Sequence, residues 1–253
     1  MGKIISIVNQ KGGVGKTTTA VNLGAYLAHL GKNVLLVDLD PQANATSGIG
    51  IDHRELPHGI YEAIIGEKPI YHVLKRTMQD RFIVAPSSAS LAGAGIEMVE
   101  MEDREFRLSK ALEQIRDEYD YIIIDGPPSL GLLTVNSLVA ADEILIPVQS
   151  EYFALEGLSQ LLETIGLVQN ALKPNLGIMG AVITMFDNRN RLSNSVMSEL
   201  YQYFPNKVFR TVIPRSVRLA EAPSFGRSIL HYDQKSKGGK AYEKLAREVI
   251  DLG

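Results

Sequence analysis

The chain contains no cysteine. That excludes disulfides, thiolate zinc sites, iron–sulfur clusters and cysteine nucleophiles. Long apolar runs are also missing. Segments such as residues 121–124 and 144–146 fall far short of the ~18 residues that a membrane span requires. Nor does charge of one sign prevail, since 26 Lys and Arg stand against 29 Asp and Glu, a net charge of -3. The whole molecule is therefore not a basic nucleic-acid binder, and any DNA contact requires a local patch formed by folding or dimerisation. No linker, low-complexity stretch or internal repeat interrupts the chain. With Met1 two residues before the first strand-like run, no signal peptide is expected. A length of 253 residues, with 45% hydrophobic and 22% charged residues, suits a soluble globular protein. One domain spanning residues 1–253, with a well-buried core, is expected.

Apolar runs alternate with helical patterns. Residues 3–8, 33–37, 81–85, 121–124, 143–148, 177–184 and 208–213 read as strands. Helices are expected over residues 16–30, 59–65, 103–118, 154–172, 191–203 and 239–252. Apolar runs without polar alternation mark strands buried on both faces. Interleaved with helices, they predict an α/β fold with a doubly wound, mostly parallel sheet. Residues 48–95 are the least regular part of the chain.

Between the first strand and the first helix lies Gln10-Lys11-Gly12-Gly13-Val14-Gly15-Lys16-Thr17-Thr18. A strand, a glycine-rich loop and a helix N-terminus together make a phosphate cradle, because free backbone N–H groups and the helix dipole face the anion. Lys16 is placed to reach the β- and γ-phosphates of a nucleotide, and Thr17 to offer its hydroxyl to Mg²⁺. The ordinary loop has glycine where Gln10 stands, and here a second lysine, Lys11, follows. A second cation beside the polyphosphate is unfavourable without nucleotide and favourable with it, which suits it to coupling nucleotide to association.

Two aspartates, Asp38 and Asp125, end apolar strands, and carboxylates at strand C-termini face the ligand crevice of open α/β sheets. Asp40 follows in Asp38-Leu39-Asp40-Pro41-Gln42 and starts a loop. Pro41 and Pro127-Pro128 stiffen the two loops involved.

The Lys11-Gly12-Gly13-Val14-Gly15-Lys16-Thr17 form resembles the deviant Walker A ATPases. Further segments are similar to the chromosomal ParA, or Soj, subgroup of that family. They include Gln42-Ala43-Asn44-Ala45-Thr46-Ser47-Gly48, Pro127-Pro128-Ser129-Leu130-Gly131, Tyr152-Phe153-Ala154-Leu155-Glu156-Gly157 and Pro214-Arg215-Ser216-Val217-Arg218-Leu219. The resemblance covers nearly the whole chain. It implies an ATP- and Mg²⁺-dependent ATPase of chromosome or plasmid segregation, cytoplasmic and associated with the nucleoid. ATP is expected to drive a sandwich homodimer that binds double-stranded DNA without sequence preference, and a ParB-type centromere-binding protein to stimulate hydrolysis.

The resemblance also assigns roles. Lys11 reaches the partner's ATP and, with Lys16 and Asp40, serves catalysis. Asp40 positions the attacking water. The nucleotide lies on Lys11, Gly12, Gly13, Val14, Gly15, Lys16, Thr17 and Thr18, with Pro214 and Ser216 bordering the base. Relatives often carry Asn where Ser216 stands. Thr17, Asp38 and Asp125 serve the metal, Asp125 through water. Arg189 and Arg218 contact DNA. No aromatic residues interleave with these cations, so phosphate contact rather than base stacking is the expected mode. Rival readings are a membrane-positioning ATPase and a filament former. The mixed-sign helix over residues 239–252 argues against membrane binding.

Overall fold

Unbroken runs of Ile, Val and Leu become strands covered on both faces. In the computed structural model, which describes residues 1–151 and 154–252, such strands are β1 (Lys3–Ile7), β2 (Val34–Asp38), β4 (Phe82–Ala85), β5 (Tyr121–Asp125), β6 (Glu143–Gln149) and β7 (Gly177–Thr184), and a short charged strand, β3 (Lys75–Arg76), lies at one edge. They form one sheet in the order β3-β4-β2-β5-β1-β6-β7. All pairings are parallel except β3 with β4. The helices are α1 (Lys16–His29), α2 (Asn44–Gly48), α3 (Ile60–Ile65), α4 (Leu91–Glu97), α5 (Arg107–Glu113), α6 (Leu132–Ala140), α7 (Ala154–Ala171), α8 (Arg191–Tyr203), α9 (Val217–Glu221), α10 (Ile229–Asp233) and α11 (Lys237–Leu252).

Alternate residues of the central strands feed two cores. Ile4, Leu35, Ile122 and Ile144 pack with α3 to α8 on one face. Ile5, Leu36, Ile123 and Leu145 pack with α1, α10 and α11 on the other. The expected doubly wound sheet is therefore present. Gly24 allows α1 to lie close to the sheet, because a Cβ there would come within 2.7 Å of the Phe82 ring. Among the described residues no helix is long and apolar enough to cross a membrane.

Two expectations fail. Residues 208–213 do not form a strand. They run beside β7, bridging only at Val208 and Pro214. Between those points the Arg210 and Thr211 N–H groups turn away and donate to the Glu248 carboxylate of α11, at 2.7 and 3.1 Å. The helix expected over residues 103–118 is broken. Only α5 is α-helical, flanked by single 3₁₀ turns at Arg104–Phe106 and Arg116–Glu118. The break lets Ile115 turn into the core, where it is 2% exposed. Of the expected motif at residues 152–157, Tyr152 and Phe153 lie outside the described residues.

Candidate active site

Parallel register determines what meets at the C-terminal end of the sheet. Asp125 of β5 pairs with Ile7 of β1 on one side and with Asp38 of β2 on the other. The phosphate loop thus leaves the sheet beside Asp125, with Asp38 one strand beyond, at the end where open α/β sheets bind ligands.

Gly15, at φ 90°, turns the loop into α1 in a conformation that residues with a Cβ rarely adopt. No side chain caps α1 and no acid occupies its first turn. Its first N–H groups and the positive end of its dipole are thus free for an anion. They border a cavity of about 440 Å³ whose walls include Gly12, Gly13, Gly15, Lys16, Thr17 and Thr18. Asp40, Gln42 and Pro128 from the two proline-stiffened loops, and Arg227, also line it. Val14 faces inward, and its carbonyl accepts the Thr184 hydroxyl at 2.7 Å.

Lys16 is 7% exposed, and its ammonium donates to the Lys11 carbonyl at 3.3 Å. Burial lowers its pKa, while Asp125 and Asp40 oppose that shift. Asp38 and Asp125 are both fully buried and absent from the cavity wall. Burial pushes the Asp38 carboxyl up, against three hydrogen bonds that favour its charged form. Burial, and next the Asp38 charge, raise Asp125 well above the ordinary carboxylate range.

The Thr17 hydroxyl acts on Asp125 in the opposite direction, yet closes no bond of normal geometry, and both Asp125 oxygens lack a hydrogen-bond partner. An orphaned buried carboxylate is costly. A hard divalent cation with its hydration water removes that cost and takes oxygen ligands of the kind that Thr17 and Asp125 supply. The residues therefore fit Mg²⁺.

A second cavity of about 180 Å³ adjoins the first, and Gly15, Thr18 and Met185 border both. Pro214 and Ser216 line it, together with Ile213, Leu219 and Tyr242. Tyr242 is buried and shares a 3.1 Å hydrogen bond with Thr19 of α1. Lys11 lies outside both walls. Its ammonium pairs with Glu151 at 3.4 Å, and Glu151 also holds Arg215 at 3.6 Å and accepts from Gln149 at 2.5 Å.

A family model described as an AAA domain matches residues 2–178. The chain is 55% identical over 253 residues to the sporulation initiation inhibitor protein Soj of Bacillus subtilis, with 100% of each chain covered. The chromosome partitioning protein ParA of Myxococcus xanthus is 52% identical over 250 residues, 99% of this chain and 88% of that protein. The chain belongs to the ParA/Soj family of chromosome-partitioning ATPases. A solved structure named cobyrinic acid a,c-diamide synthase from Mycobacterium smegmatis, with bound ATP analog and magnesium, superposes with a TM-score of 0.88. It is 37% identical, with 99% of this chain and 94% of that chain covered.

For this ParA/Soj chain, the two DNA-contact candidates stand outside both cavities. Arg189, in the loop between β7 and α8, is 86% exposed, and Asp187 accepts from it at 3.0 and 2.8 Å. Arg218 of α9 pairs with Glu221 at 3.1 Å and with Asp233 at 3.6 Å. Sequence reasoning missed Met185, Leu219, Tyr242 and Arg227 as lining residues, and Glu151 as the partner of Lys11. Each comes from a segment distant in the chain, and no local pattern marks it.

Proposed function

We propose that this ParA/Soj-family protein binds ATP with Mg²⁺ and hydrolyses it as a switch between a monomer and a DNA-binding sandwich dimer. The observation that supports this most is the separation of the two loop lysines. Lys16 lines its own cavity, while Lys11, five residues earlier, stands outside it on an exchangeable surface partner. In this reading Lys16 and the loop N–H groups hold the β- and γ-phosphates, and Pro214 and Ser216 border the adenine. Thr17 and Asp125 hold Mg²⁺, Asp125 through water, with Asp38 acting behind them. The ion neutralises phosphate charge and fixes the phosphates in place. Asp40, at the cavity wall, orients the attacking water.

Lys11 then exchanges one half-exposed carboxylate for the polyphosphate of a second copy. The present ion pair, at 33% and 46% side-chain exposure, is of a kind worth roughly 0–1 kcal/mol, so its loss is a small barrier. Lys11→Ala is expected to leave a folded monomer that binds ATP but dimerises at least about tenfold more weakly, the effect of about 1.4 kcal/mol. Sedimentation with ATP checks this, and normal dimerisation of the variant would remove Lys11 from the interface.

The dimer aligns two sets of exposed cations, so DNA affinity rises by multivalency where a monomer of net charge -3 binds weakly. A ParB-type partner accelerates hydrolysis and ends the DNA-bound state, which places the active form on the nucleoid. The experiment is a DNA titration across salt concentrations with ATP, ADP and no nucleotide. Binding is expected with ATP alone; equal binding in all three states would refute the switch. In the same titration Arg189→Glu is expected to weaken binding to every sequence and to lower the salt slope by about 1 per lost phosphate contact. An unchanged slope would exclude Arg189 as a phosphate ligand.

A further inference from the structure

The loop between β2 and α2 carries Asp40 and Gln42 into the cavity wall, yet it is anchored outside that wall. The anchor is Thr46, at 0% exposure. Its N–H and its hydroxyl both donate to Asp38 Oδ2, at 2.7 and 2.6 Å. The same hydroxyl accepts from the Ser87 N–H, beyond β4, at 3.0 Å. The second Asp38 oxygen, Oδ1, accepts from the Asp40 N–H at 3.2 Å. Asp40 in turn accepts from the Gln42 N–H at 3.0 Å. One hydroxyl thus joins the end of β2, the loop and the segment after β4.

The loop requires such an anchor. Ala43 adopts φ 52°, left-handed for a residue with a Cβ, a conformation that costs about 1–2 kcal/mol. A strained turn persists only where its surroundings hold it. The Asp38 carboxylate is also fully buried, and its hydrogen-bond donors are those of Thr46 and Asp40. Its orientation therefore depends on them. Without the hydroxyl, Oδ2 keeps a single donor, the Ser87 N–H loses its acceptor, and Asp38 is free to turn from the Asp40 backbone.

We propose that Thr46 is a positioning residue for ATP hydrolysis. Its hydroxyl clamps Asp38, and Asp38 in turn sets where Asp40 stands. The inference rests on Asp40 orienting the attacking water.

The test is Thr46→Val, which keeps the shape and removes the hydroxyl. Steady-state ATPase kinetics are expected to show kcat lower by about 10- to 100-fold, because a displacement of about 1 Å in a reacting group has effects of that order. The KM for ATP stays within about twofold, since Thr46 is absent from both cavity walls. Thr46→Ser, which retains both hydroxyl bonds, is expected to recover kcat to within about threefold of the parent. A parental kcat in Thr46→Val would overturn the proposal. So would Thr46→Ser as slow as Thr46→Val, or a loss of ATP affinity matching the loss of kcat. If Thr46→Val does not fold, Thr46→Ala carries the same expectation, and failure of both to fold shows the hydroxyl to be structural only. Asp40→Ala, assayed alongside, separates the two levels: parental turnover there overturns the Asp40 reading itself.

Discussion

Lys16→Ala is expected to abolish nucleotide binding at working ATP concentrations. The ammonium is already desolvated at the cavity wall, and Asp125 and Asp40 act on it electrostatically. Polyphosphate supplies the counter-charge that Lys16 meets only in part. Hydrogen bonds to charged groups contribute about 1.5–3 kcal/mol each, so losing them at two phosphates weakens binding roughly a hundredfold or more. Calorimetry with ATP and Mg²⁺ measures this directly. Thermal melting provides an independent readout. Ligand raises the melting temperature of the parent by mass action and is expected to leave the variant unmoved. The ligand-free variant melts close to the parent, because the deletion removes a charge that burial already penalised. Undiminished ATP affinity would mean that the cavity is not the triphosphate site.

Asp40→Ala is expected to separate binding from turnover. Asp40 is 7% exposed at the cavity wall, and among the described residues its carboxylate accepts one N–H, from Gln42, on Oδ1. A positioned carboxylate acting on water contributes about 10²–10⁴-fold, so turnover falls by at least about a hundredfold. Nucleotide affinity persists, since the loop and Lys16 are intact. ATP-bound dimers therefore accumulate, visible in sedimentation as a species that does not decay over many parental turnover times. Rapid hydrolysis by this variant would exclude Asp40 from the chemistry.

The sheet was legible in the sequence because its strands are buried on both faces. Residues such as Ile122, Ile123 and Ile124 have no polar partner face, and this uninterrupted run is itself the signal. The same logic explains a miss. α6 was not read as a helix because Leu133, Thr134, Asn136, Ser137, Leu138, Val139 and Ala140 are all buried, so it has no exposed stripe to set a period. Residues 208–213 carry the composition of a strand, but Glu248 takes the Arg210 and Thr211 N–H groups, and a contact 37 residues distant leaves no local trace.

The site divides in the same way. The phosphate loop is one contiguous segment, and strand–loop–helix chemistry marks it without help. Asp38 and Asp125 are strand ends, so their convergence follows once a parallel sheet is granted. That Asp38 is held by Thr46 while Asp125 has no hydrogen-bond partner depends on side-chain geometry that spacing does not encode. The second cavity needs Met185, Leu219 and Tyr242 from three separate parts of the chain and appears only on folding.

Both edges of the sheet are closed to further strands. β3 is two residues long, Lys75 and Arg76, and runs against the direction of the rest. Short charged edges of that kind repel an incoming strand. At the other edge, backbone groups of Ala181, Ile183 and Phe186 are bonded to residues 207–215. Among the described residues both edges therefore disfavour β-augmentation between copies and the cross-strand polymers it produces. The proposed dimer is left to form through loops and helical faces, whose contacts a nucleotide can make and unmake.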